Sequence, residues 1–294
     1  MKKIISIIQI LALSACIASA QQMPKFSQFY INPFSINPAY AGYSDSIKAF
    51  VHYRNEMVGL RGAPITEMIS LDGKSRKYKF GLGLNAFFQQ QNIISRKGLN
   101  VSYSYQVKLK EEQKITFGIS VGVVQNSLAY DQIVADSPEE LVTLFNYKPS
   151  SSFNNDIGFV YSLKNLEVGF SANNLFNKKT FSDKYSLVYQ QNPSYNITGI
   201  YRFDITSEFK STTSILMYSP QGLPFRTNLN TMVTYRNQIW GGITYGIKSN
   251  IGLIAGIRYD MFTLGYVYEY ALSQLAAISG GAHEILVGYN FGKR

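Results

Sequence analysis

Apolar and polar residues alternate with a period of two along Leu99–Leu109. Leu99, Val101, Tyr103, Tyr105, Val107 and Leu109 take one set of positions, and Asn100, Ser102, Ser104, Gln106 and Lys108 the other. This alternation gives a β-strand one oily face and one wet face. A polar spacer at 110–114 follows, and the pattern resumes with Ile115, Phe117, Ile119, Val121 and Val123. With Leu109 set opposite Ile115, Val107 meets Phe117 and Tyr105 meets Ile119, so the hairpin keeps its apolar residues on one side. A strand of about 11 residues, tilted near 45°, crosses an outer membrane. The same hairpin also fits half of a soluble β-sandwich, and the rest of the chain has to separate the two.

Further strands are predicted at 47–56, where Ala49, Val51 and Tyr53 point outward and Lys48, His52 and Arg54 inward, and at 65–72, where Glu67 shares a face with Ile69. Others follow at 80–88, 153–163, 166–173, 195–203, 209–218, 227–235, 239–247, 251–259, 262–270 and 283–291. With the opening hairpin these make about 14, an even number as bacterial barrels prefer. Two hairpins specify their own register. Across Lys164-Asn165, Tyr161 faces Val168 and Phe159 faces Phe170; across Asp260-Met261, Ile257 faces Leu264 and Ala255 faces Tyr266. A slip of one residue would put these pairs on opposite faces.

Loop length decides between sandwich and barrel. With the N-terminus in the periplasm, the connections 73–79, 110–114, 164–165, 204–208, 236–238 and 260–261 fall on the periplasmic side, and all are short. The outer connections include 128–152, 174–194 and 271–282, all long. Short periplasmic turns and long outer loops belong to a transmembrane antiparallel β-barrel. In 128–152, Asp136, Ser137, Pro138, Glu139 and Glu140 suit the start of a helical turn. A second short helix is expected at 271–280. Either folds inward to narrow the pore or shields the rim.

The stretch 21–46 fits neither strand nor helix. Asn32-Pro33 and Asn37-Pro38 deny ladder donors and push the preceding residues to extended or turn shapes. Yet Phe26, Phe29, Tyr30, Phe34, Ile36 and Tyr40 are too apolar for a free linker. The segment is expected to pack, inside the lumen or across the periplasmic mouth. Ahead of it, residues 1–20 read as a signal peptide: Lys2 and Lys3, the apolar 4–13, then Ala18-Ser19-Ala20 as a cleavage site. Leu13-Ser14-Ala15-Cys16 offers a rival lipoprotein site; cleavage after Ala20 is preferred, because a barrel needs no lipid anchor. The three parts are thus signal 1–20, an extended segment 21–46 and a barrel 47–294.

Composition agrees. Charged residues make up 16%, against roughly 25% in soluble domains. Twenty-two tyrosines against a single tryptophan suit the water–lipid girdles of a barrel. The net charge of +10 raises nucleic acid as a partner, but the cations lie mainly in connections, with no basic helix or zinc pattern. Solubility and contact with anionic head groups of outer-membrane lipid are the readings that remain. The chain has one cysteine, Cys16, so after cleavage it has no thiol chemistry.

Catalysis has little to work with. A hydrolase needs a nucleophile with a base beside it. His52 sits in a basic lumen row beside Arg54, His283 lies at the outer end of the last strand, and no acidic cluster has metal-ligand spacing. No enzyme, cofactor or metal is expected. Gly118, Gly122, Gly252 and Gly256 point inward, which fits either close approach of a plug or ordinary strand bending.

Pro24-Lys25-Phe26-Ser27-Gln28-Phe29, Asn32-Pro33 and Ile36-Asn37-Pro38-Ala39-Tyr40-Ala41-Gly42 resemble the start of the PorP/SprF family of type IX secretion system membrane proteins. Tyr53-Arg54-Asn55, Val58-Gly59-Leu60-Arg61-Gly62-Ala63-Pro64, Ala172-Asn173-Asn174-Leu175-Phe176 and the ending from His283-Glu284-Ile285 to Gly288-Tyr289-Asn290-Phe291 fit as well. Glu56-Met57 departs from the Gln-Trp-like pair expected there. The resemblance implies a non-enzymatic outer-membrane barrel that supports secretion or surface attachment of a large adhesin, often for gliding, with secretion-system components as partners. The alternative is a diffusion channel or small-solute transporter. The residues expected to serve partner binding are Asn32, Pro33, Asn37, Pro38, Ala39, Tyr40 and Gly42 in the N-terminal segment. Tyr147, Phe181, Tyr185 and Tyr189 are expected to do so from the outer loops, as rigid aromatic anchors.

Overall fold

A computed structural model describes residues 25–75, 77, 79–129, 148–175, 193–220 and 225–292. The expected signal peptide, the helical turn at 136–140 and the loop aromatics Tyr147, Phe181, Tyr185 and Tyr189 lie outside the described residues.

Fourteen antiparallel strands form a closed barrel in which each strand pairs with its sequence neighbours and β14 returns to β1. They are β1 (Lys48–Asn55), β2 (Ile65–Lys74), β3 (Phe80–Gln91), β4 (Ile94–Lys110), β5 (Gln113–Leu128), β6 (Ser150–Leu163), β7 (Leu166–Asn173), β8 (Ser194–Asp204), β9 (Phe209–Pro220), β10 (Arg226–Tyr235), β11 (Ile239–Gly246), β12 (Asn250–Tyr259), β13 (Phe262–Ala271) and β14 (Ala282–Asn290). The closing seam runs from Lys48 opposite Asn290 to Asn55 opposite His283. Closure leaves no strand edge unpaired, which a hydrocarbon surround requires.

The outer face carries the apolar set of the alternation. Val51, Ile69, Leu82, Val101, Ile119, Val121, Ile243 and Leu253 are all exposed on it. No helix among the described residues is long and apolar enough to cross a membrane; this chain crosses with strands.

The β6–β7 and β12–β13 hairpins have the expected registers. Their two-residue turns place Lys164 and Asp260 at φ of 52° and 51°, the left-handed region that tight hairpins use. The β4–β5 hairpin corrects the reading above. Val107, not Leu109, lies opposite Ile115, and Tyr105 lies opposite Phe117. The turn is only Glu111-Glu112, and a bulge between Lys108 and Lys110 absorbs the odd residue. The shift is two residues, so every side chain keeps its face, and the face pattern alone could not distinguish the two registers.

All six connections expected to be short are short. At the other end of the barrel the connections are uneven: 129–149, 174–193 and 272–281 are long, while 92–93 and 247–249 are tight. The 271–280 stretch contains the expected short helix, a 3-10 turn at Gln274–Ala277. It settles on the rim rather than across the pore. There the Val58 N–H donates to the Gly281 carbonyl at 3.0 Å, and the Gly280 N–H donates to Val58 at 2.7 Å.

Inside, the chain from Lys25 to Ser46 fills the lumen. Two 3-10 turns, Pro33–Ser35 and Pro38–Tyr40, each start with a proline, whose fixed φ and missing N–H suit that position. The segment descends along the barrel. Lys25 and Ser27 lie among residues of the long-connection end, such as Tyr218, Glu269 and Asn250, whereas Gly42 and Asp45 meet Asp72 and Lys74 at the short-connection end. The start of β1 and the end of β14 thus lie at the expected end, while Lys25 stands near the opposite one.

Candidate functional site

Three devices hold this inner segment, and together with the space above it they form the candidate site. The first is an ionic latch. Arg54 on β1 donates from Nη2 to Glu269 Oε2 on β13 at 2.6 Å and from Nη1 to Glu284 Oε2 on β14 at 3.0 Å. Its Nε reaches Glu56 at 3.2 Å. Glu284 also accepts the backbone N–H groups of Ser27, at 2.7 Å, and Gln28, at 3.0 Å. The Ser27 hydroxyl donates to Glu269. Arg54, Glu269 and Glu284 are all buried, so each charge depends on the others for the solvation it lost.

The second device is a set of amide tethers. Asn32 Nδ2 donates to Ser70 Oγ at 2.8 Å and meets His52 Nε2 at 3.0 Å. Asn37 does two jobs. Its Oδ1 accepts the Ala39 N–H at 2.9 Å and caps the second 3-10 turn, while Nδ2 donates to the Phe159 and Phe170 carbonyls on β6 and β7, both at 3.2 Å. At the lower end the Gly42 N–H donates to Asp72 Oδ2 at 2.9 Å. Gly42 has φ of 58°, and a β-carbon there would overlap the Gly73 backbone.

The third device is shape. Inward glycines make a seat in which β-carbons would collide with the segment: Gly83 against the Phe34 ring, Gly118 against Ala39, Gly158 against Asn37 and Gly265 against Gln28. Of the four glycines singled out from sequence, only Gly118 meets the plug. Gly122, Gly252 and Gly256 are packed by neighbouring strands. Along β8–β13 the lumen wall turns apolar. Ile200, Leu216, Trp240, Ile254 and Val267 enclose Phe29, Tyr30 and Ile36.

Asn32, Pro33, Asn37, Pro38, Ala39, Tyr40 and Gly42 are thus all brought together inside the barrel. All but Pro33 are buried, and Tyr40 packs edge-on against Tyr43 at 5.1 Å. The latch residues Ser27, Gln28 and Glu269 were not singled out from sequence. A carboxylate on the inward set of β13, facing Arg54 on the inward set of β1, is the signal that could have found it. The apolar wall was legible too, because Ile215-Leu216-Met217, Leu253-Ile254-Ala255 and Tyr266-Val267-Tyr268 break the alternation with apolar residues on both faces.

The two histidines have structural surroundings. The His52 ring lies 4.4 Å from Phe26, and His283 Nδ1 meets the Tyr266 hydroxyl at 2.6 Å. Among the described residues no cluster of three or more histidines, cysteines or acids could hold a metal ion.

Above the plug, at the long-connection end, lies a cavity of about 570 Å³. Lys25, Ser27, Arg54 and Glu269 form its floor on the latch side. Tyr218, Arg226 and Asn228 line the wall, and Met57, Pro64, Lys248 and Ser279 come from the connections around its mouth.

A family model described as "Type IX secretion system membrane protein PorP/SprF" matches residues 18–289. No curated protein sequence matches the chain. Among solved structures it is similar to the Ralstonia pickettii toluene transporter TbuX, at 9% identity over 87% of this chain and 92% of that one, with a TM-score of 0.51. It is also similar to the Pseudomonas putida toluene transporter TodX, at 11% identity, the same coverages and a TM-score of 0.48. At such identities the TbuX likeness speaks for the outer-membrane barrel fold alone.

Proposed function

The chain belongs to the PorP/SprF family of type IX secretion system membrane proteins, and from that premise we propose that it holds a large adhesin at the cell surface, or supports its secretion, of the kind that serves gliding. It is an integral outer-membrane barrel and works without catalysis, by holding a partner. The signal at 1–20 exports it, and the short connections face the periplasm. Secretion-system components are its neighbours in the envelope, and the loop aromatics Tyr147, Phe181, Tyr185 and Tyr189 join the surface that meets the adhesin.

The observation that carries this reading is the filled lumen. A segment tied by a buried latch, paired amides and a glycine seat suits a rigid anchoring body better than a diffusion path. The Asn-Pro residues then act on the partner through the shape they give the barrel rather than by touching it. Deleting the gene should release a large surface protein into the medium, and the wild-type gene should restore its retention. Surface proteins retained in full by the deletion strain would overturn the reading.

A further inference from the structure

The cavity above the plug carries unequal charge. Four cations line it, Lys25, Arg54, Arg226 and Lys248, against two carboxylates, Glu56 and Glu269, which share Arg54 with Glu284 behind them. Of the cations, Arg226 and Lys248 make no ion pair among the described residues, while Lys25 lies within electrostatic reach of Asp156. These three form a row. Arg226 lies opposite Tyr218 in the β9–β10 register. On its other side Asn228 pairs with Gly246, and the Ile247 N–H donates to the Thr227 carbonyl at 2.9 Å; that register continues to Lys248 beside Arg226. Beyond Tyr218 and deeper in the lumen, the Lys25 ammonium sits 5.5 Å from the Tyr218 ring centre and donates to Asn196 Oδ1 at 2.6 Å. Two strand spacings separate Lys248 from Tyr218, about 10 Å.

We propose that this row binds an acidic peptide segment, entering from the long-connection mouth and belonging to the surface-held partner. The attribution to that partner rests on the function proposed above; the site itself does not. A row of cations that runs from rim to floor matches several carboxylates spaced along one chain. A single phosphate would span only part of it. The cavity size lies within the range of ligand sites. The wall between the cations also offers what an extended peptide needs: carboxamides at Asn228 and Asn250 for its backbone, and the Tyr218 ring and Met57 for apolar contact. Long-range attraction from the exposed Arg226 and Lys248 would steer such a segment into the mouth.

The test uses full-length protein in detergent and a fluorescein-labelled hexaglutamate peptide, read by fluorescence anisotropy, with hexaglutamine as the uncharged counterpart. Hexaglutamate should bind, more weakly as salt rises, and hexaglutamine should not. The triple variant Lys25→Gln/Arg226→Gln/Lys248→Gln should bind at least tenfold more weakly. Lys164→Gln, at the opposite end, should bind as wild type does. If the triple variant fails to fold, Arg226→Gln and Lys248→Gln, both exposed, carry the test singly with about threefold losses. No binding by wild type, or equal binding by the variants, overturns the proposal. So does displacement of the peptide by inorganic phosphate or lipopolysaccharide at matched charge, which would assign the row to phosphate. Surface retention in cells separates the two ideas. A deletion strain that sheds its surface protein alongside unaltered binding by the triple variant defeats this site alone. A deletion strain that sheds nothing defeats the proposed function and leaves the peptide site to the anisotropy result.

Discussion

Arg54 and Glu284, 230 positions apart in the chain, meet 3.0 Å apart inside the barrel, and the Glu284 carboxylate also accepts the Ser27 and Gln28 N–H groups of the plug. One residue pair therefore joins β1 to β14 and fastens the inner segment. Removing one partner of a buried pair leaves an uncompensated charge at a cost of about 3–5 kcal/mol. Arg54→Ala would strand both Glu269 and Glu284 and should lower the unfolding midpoint clearly. In planar-bilayer recordings the wild type should show small or rare conductance, and Arg54→Ala and Glu284→Gln larger openings. A porin-like current from the wild type would mean that the plug does not close the lumen.

Gly118 tests the seat independently of charge. A side chain there collides with the second 3-10 turn, whereas one at Gly122 meets β4 instead. Gly118→Val should therefore expose the N-terminal segment to added protease and raise conductance. Gly122→Ala should perturb the barrel wall without releasing the plug, so equal protease sensitivity in the two variants would remove the seat from the argument.

The second 3-10 turn depends on Asn37 as cap and on Pro38 for its fixed φ. Losing a cap costs about 1 kcal/mol, and Asn37→Ala also gives up two bonds to the barrel wall. Asn37→Ala and the double variant Pro38→Ala/Tyr40→Ala should still give heat-modifiable barrels on gels but hold less of the surface protein. Full retention in both would limit the segment to filling space.

Orientation is open to labelling, since Cys16 is the chain's one cysteine and falls within the expected signal. Ser249→Cys, exposed in the β11–β12 turn, should react with an impermeant maleimide on intact cells. Ser207→Cys, exposed at the other end, should react only once the envelope is opened. The reverse pattern would invert the barrel and put the basic cavity on the periplasmic side.

Alternation with a period of two told which residues form about 14 strands, which faces are wet and where the short turns fall, and the unequal connection lengths told that the strands make a barrel. These are local properties, since each strand's faces follow from its own residues. The aromatic content of 25–46, with its two Asn-Pro steps, showed that this segment packs. Its path was not legible, because that depends on which inward side chains of distant strands come together when the sheet closes. The latch needs residues 27, 54, 269 and 284 at one depth. The basic row needs Lys25 to reach the cavity floor beside Tyr218, which pairs with Arg226. The bulge at Lys108/Lys110 likewise came from turn geometry, which a face pattern repeating every two residues cannot register. Only closure of the barrel, with a filled interior, decided which of the wet-face residues became a clamp and which a charged mouth.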